Sequence, residues 1–144
     1  MQSSPRALGC LVLLLGLTLF ASAASGTSRA RTKAGCPTSL APDAKAAAGV
    51  AAATARDVPR LYPQSQYRRF RITALSSLAP GTFTPAGVSV YRGIAAHRCG
   101  ARTAARSWVV FLTFPALATS ASLSQGVAFA ARTPRGWTLW YRFR

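Results

Sequence analysis

Residues 106–114, RSWVVFLTF, leave the chain few choices. Read with a period of two, Trp108, Val110, Leu112 and Phe114 fall on one side, and Val109 and Phe111 on the other. Both faces are therefore apolar, and Pro115 stops the run. Such a segment is a central strand covered on both sides. The rest of the chain has to supply its neighbours.

Period-two patterns recur around it. Between Tyr67 and Ala74, Phe70, Ile72 and Ala74 alternate with Arg69, Arg71 and Thr73, the pattern of a half-buried strand with a basic outer face. After the loop APGTFTPAG, Val88 to Tyr91 resumes an extended pattern that runs on through Ile94 to Cys99. LSQGVAFAAR and GWTLWYRF close the chain as two strands. Between them, Thr133-Pro134-Arg135-Gly136 has the Pro and Gly positions of a type I turn. Alternation groups Trp137, Leu139, Tyr141 and Phe143 on one face, and Thr138, Trp140, Arg142 and Arg144 on the other.

One segment has a helical period. In APDAKAAAGVAAATARDV, Pro42 and Asp43 stand at the start, and Ala47, Val50, Ala51, Thr54 and Val58 form a narrow apolar stripe. Pro59 is expected to end it. One N-terminal helix followed by four or five antiparallel strands predicts an α+β fold, with the helix packed on one face of the sheet. This order is similar to the plan of cystatin-like and NTF2-like domains, an analogy of architecture alone. Gln125-Gly126-Val127-Ala128 also resembles four positions of the cystatin inhibitory loop, but Phe129 replaces the glycine that follows there. Apolar residues lie on both sheet faces while one helix covers only one. The spare face is expected to bury a small ligand or to pack in a homodimer.

The N-terminus has the three-part order of a secretory signal peptide: Arg6, the apolar run 7–20, and Ala21-Ser22-Ala23 as a cleavage site. Residues 1–23 are read as that signal, 24–38 as a flexible basic leader, and 39–144 as one globular domain. Cleavage after Ala23 removes Cys10, which leaves Cys36 and Cys99. Two cysteines in an exported chain predict one disulfide.

Charge narrows the function classes. Lys plus Arg is 18 and Asp plus Glu is 2, a net charge of +16, and the only acids are Asp43 and Asp57. There is no Glu, and His97 is the only histidine. A pair of glycosidase carboxylates, a Ser/His/acid triad and a zinc set all draw on residue types this chain hardly has, and Asp43 and Asp57 at the two ends of one helix would lie roughly 20 Å apart. No catalytic residue, metal or cofactor is assigned. The remaining signal is basic and aromatic. Arg69, Arg71, Trp140, Arg142 and Arg144 are the candidate binding residues, because arginine forks grip phosphate or carboxylate oxygens and an aromatic ring can stack beside them. The expected partner is an anionic envelope polymer or membrane surface, with unspecific nucleic-acid binding of the same kind.

Overall fold

The computed structural model describes residues 34–81, 87–120 and 122–143. Residues 1–33, which hold the segment read as a signal peptide and most of the expected leader, lie outside them, as does Arg144. Four strands form one antiparallel sheet in chain order: β1 (Arg71–Ser77), β2 (Ser107–Thr113), β3 (Gln125–Thr133) and β4 (Gly136–Arg142). Helix α1 (Ala46–Leu61) packs on one face, and α2 (Val88–Cys99) and the short α3 (Ala101–Ala105) on the other. The fold is α+β, as the patterning predicts.

Strand β2 is an inner strand with both faces covered. Val110, Leu112 and Phe114 join Val50 and Val58 of α1, Tyr62, Tyr67, Ala128, Ala130 and Leu139 in the first core cluster. Val109 joins Leu78, Val88, Ala95, Ala104, Val127 and Phe129 in the second. The helices that build this second cluster correct two expectations. Residues 88–99 are helical rather than extended, because Val88, Tyr91 and Ala95, spaced three and four apart, meet the sheet together. The sheet face expected to stand open is therefore largely occupied by α2 and α3.

Helix α1 also departs from its expected bounds. It begins at Ala46, since Asp43 forms a turn of its own: its carboxylate accepts from the Lys45 N–H at 3.1 Å and its carbonyl from the Ala46 N–H at 3.1 Å. It runs through Pro59 to Leu61. A proline this near the C-terminus removes one hydrogen bond, and the buried side chains of Val58 and Tyr62 hold the last turn, which closes through Tyr62 N–H to Val58 O at 2.9 Å. Gly49 lets the helix sit close to β4, because a Cβ there would fall on the Trp137 indole.

The outer edge of β4 is closed by α1. Asp57, 4% exposed, accepts hydrogen bonds from the Leu139 N–H at 2.9 Å and the Thr138 hydroxyl at 3.0 Å. Arg56 binds the same carboxylate at 2.9 and 3.1 Å and also donates to the Trp137 carbonyl at 2.7 Å. Backbone groups that an edge strand would otherwise offer to another chain are thus satisfied internally.

Two further features differ from the simple pattern. In β4 the register steps from Leu139 opposite Ala130 to Tyr141 opposite Phe129, so Trp140 is an extra residue. Trp137 and Leu139 pack toward α1, and Trp140 and Tyr141 toward α2. The residues expected to alternate strictly through 143 do not. The segment 34–38, expected to belong to a flexible leader, is anchored: Cys36 is disulfide-bonded to Cys99 at the end of α2, with α-carbons 5.5 Å apart. Just beyond, Leu40 N–H donates to Arg132 O at 2.7 Å and Arg106 to Ser39 O at 2.8 Å.

Candidate anion-binding surface

With two acids in the chain, the destination of each carboxylate decides how much positive charge stays exposed. Asp57 is taken up by Arg56, by Arg60 at 3.7 Å and by the β4 edge. Burial works against its ionised form, but the hydrogen bonds from Arg56, Leu139 and Thr138 and the Arg56 charge outweigh it and hold the carboxyl below its ordinary value. Asp43 pairs with Arg132 at 3.3 Å. Among the described residues neither forms an ion pair with Arg68, Arg69 or Arg71.

Many of the arginines act as polar staples on backbone carbonyls. Arg92 donates to Leu78 O and Ala79 O at 2.7 and 2.8 Å, and Arg142 to Leu61 O at 2.6 Å. In a chain without Asn or Glu, arginine takes over the work of satisfying loop and helix-end carbonyls. Sequence patterning gave no means of separating these arginines from free ones. The guanidinium groups of Arg68, Arg69 and Arg71 make no hydrogen bond or ion pair among the described residues, and all three are exposed.

Those three follow a single 3-10 turn, Ser65–Tyr67, which plants Tyr67 in the core. Tyr67 packs edge-on to Phe114 at 4.7 Å and against Tyr62 at 5.5 Å, and Tyr62 meets Phe114 at 5.0 Å. The Arg142 guanidinium lies over the Tyr62 ring, 5.2 Å from its centroid. Burial pushes the Tyr62 phenol up to about 12, against the opposing charge of Arg142, so the ring stays neutral as a platform for the cation. The aromatic wedge thus carries Arg142 over Tyr62, and Tyr67 leads along the chain into Arg68 and Arg69.

Among the residues singled out from sequence, Arg69 and Arg142 belong to this corner. Arg71 does not: it pairs with Thr113 one step from the α1-facing Ile72–Leu112 pair and so projects to the α2 face. Trp140 does not either. The β4 bulge turns it to the opposite face from Arg142, where it packs half-buried against Phe129 at 5.6 Å and Tyr141 at 5.9 Å. Its Nε1 is buried with no hydrogen-bond partner among the described residues. The shared Trp140–Arg142 face read from alternation is thereby corrected, and Arg144 lies outside the described residues. Arg68 was the neighbour that the chosen set left out; its position directly after Tyr67 was the available signal.

Other reactive groups are isolated. His97 is exposed near the end of α2, and the adjacent Cys99 is committed to the disulfide. Gln125-Gly126-Val127-Ala128 lies within β3 rather than at a hairpin tip. Among the described residues no three His, Cys, Asp or Glu side chains come together as metal ligands, and no helix is long and apolar enough to cross a membrane. In comparisons with protein-family models, curated proteins and solved structures, the chain matches none.

Proposed function

We propose that this is an exported, non-enzymatic protein that associates with anionic polymers or surfaces through Arg68, Arg69 and Arg142. The observation that carries the reading is the use of both aspartates within the fold, which leaves exposed guanidinium groups at the Tyr62–Tyr67 corner that no aspartate pairs with among the described residues. The mechanism is counterion release with arginine–oxyanion hydrogen bonds, and its selectivity is broad. Export is supported by the Ala21-Ser22-Ala23 site behind an apolar run and by a disulfide, which persists in oxidising compartments.

Binding to double-stranded DNA and to polyphosphate over a salt series tests this. Arg68→Ala with Arg69→Ala should weaken both and flatten the DNA plot of log K against log salt by about 0.9 for each phosphate that is no longer engaged. The double variant should keep the wild-type melting temperature, because neither guanidinium holds a hydrogen-bond or ion-pair partner among the described residues. Unchanged binding in this variant, or binding insensitive to salt, would refute the reading.

A further inference from the structure

Helices α2 and α3 do not cover the whole of their sheet face. Toward the start of β1 a groove of about 830 Å³ remains between α2 and the sheet. That volume lies within the roughly 300–1,000 Å³ typical of small-molecule sites. Ala74, Val88, Tyr91, Phe111, Val127 and Phe143 give it apolar and aromatic walls. Tyr91 stands edge-on to Phe111 at 5.2 Å and to Phe143 at 6.3 Å. Apolar surface continues to the rim, where Val90 is 62% and Phe143 37% exposed.

Arg71 stands just beyond one end of the groove, paired with its lining residue Thr113. Residues directly opposite in an antiparallel pair project to the same face. Ile72 and Leu112, the next pair, pack toward α1, which puts the Arg71–Thr113 pair on the α2 face with the groove. Arg71 is exposed and its guanidinium has no hydrogen bond or ion pair among the described residues. From Arg71 to Ser76, at the far end of the lining, β1 extends about 16 Å at the usual rise per residue.

We propose that this groove binds a single-chain anionic amphiphile, with its alkyl chain along the Tyr91–Phe111–Phe143 walls and its carboxylate or phosphate head at Arg71. Charge complementarity selects the head: the chain carries +16 and neither of its carboxylates is near enough to Arg71 to form an ion pair with it. The apolar walls select the tail. This site lies on the α2 face of the sheet and shares no residue with the polymer corner at Tyr62 and Tyr67.

The test uses the disulfide-intact protein and dansyl-undecanoic acid as a fluorescent probe, displaced by decanoate, dodecanoate, dodecyl phosphate, dodecanol and lysophosphatidylglycerol. Saturable probe binding is expected, with dodecanoate displacing up to about fourfold better than decanoate for each added methylene. Dodecanol should displace about tenfold more weakly than dodecanoate, and Arg71→Ala should erase that gap. Ala74→Trp, at an exposed lining position, should weaken every amphiphile at least about tenfold while polyphosphate binding persists. Val90→Glu is a second variant at an exposed rim position and should selectively weaken the anions. Displacement by dodecanoate and dodecyl phosphate but not by lysophosphatidylglycerol would assign the head group to a free amphiphile, and displacement by all three would include lipids; both outcomes support the site. Three results would overturn it: no saturable binding, no dependence on chain length, or full affinity in both Ala74→Trp and Val90→Glu. A concentration-dependent dimer abolished by Ala74→Trp would also overturn it, by assigning the groove to a second copy of the chain.

Discussion

Removing the Asp57 carboxylate tests the joint between α1 and β4. In Asp57→Ala the Leu139 N–H, now 2.9 Å from the carboxylate, loses its partner inside the core, and the Thr138 hydroxyl loses a bond of 3.0 Å. An unsatisfied buried donor costs about 1–3 kcal/mol, and a hydrogen bond to a charged group contributes about 1.5–3. The Arg56 side chain is 62% exposed, so its pairing adds less than about 1 kcal/mol. The terms sum to between about 2.5 and 7 kcal/mol, a fall in Tm of at least roughly 10 °C for a domain of this size. Asp57→Asn keeps one acceptor oxygen and should lose about half as much.

The pH dependence has a definite sign. The folded carboxyl titrates below its ordinary value of 3.8, so its contribution is complete above about pH 4 and is lost as the pH falls through the folded value. Asp43 is common to both proteins and cancels in the difference. Urea unfolding of wild type and Asp57→Asn at neutral pH and at about pH 2 should therefore show a gap that closes in acid. A loss under about 1 kcal/mol in Asp57→Ala, or a gap that persists unchanged in acid, would show that the carboxylate does not hold this edge.

Four other outcomes follow from the same structure. Replacing both Cys36 and Cys99 with serine should lower stability by up to about 4 kcal/mol, because the bridge spans 63 positions of sequence; urea midpoints measure it. Gly49→Ala should be destabilising by about 1 kcal/mol, the displacement of the Trp137 ring outweighing the gain in helix propensity; thermal melts decide the sign. Trp140→Ala should cost about 2–4 kcal/mol on unfolding and leave DNA binding at fixed salt unchanged. Intact-mass measurement of the exported product should place its N-terminus at Ala24, with residues 1–23 absent.

Strand periodicity was legible wherever both residues of the repeat met packed neighbours. Residues 107–114 announce an inner strand because no alternate position is polar enough to face water, and the structure covers both sides. Helix α2 was missed because Val88 and Val90 mimic alternation. Its helical set, Val88, Tyr91 and Ala95, is short and interrupted by Gly93. The demand of β2 for a second cover was itself a signal. Residues 88–105 were long enough to meet it, and reading them as helix would have closed the face that α1 leaves bare.

The candidate surface was less legible, and the β4 bulge shows why. Face assignment by alternation assumes that each residue advances the pleat by one step, and one inserted residue reverses every side chain after it. Up to Leu139 the assignment holds: Trp137 and Leu139 face α1 together. Beyond Trp140 the phase shifts, so Tyr141 packs toward α2 and Arg142 reaches Tyr62 and Leu61 O on the α1 side. Nothing in GWTLWYRF marks the inserted position, because every residue there fits a strand. The insertion has a physical cause in the fold. Asp57 fixes the Leu139 N–H to α1, while Tyr141 stacks on Phe129 at 5.8 Å toward α2. Both anchors are held with an extra residue between them, and that residue, Trp140, turns Arg142 away from the α2 core and onto the Tyr62 ring and the Leu61 carbonyl.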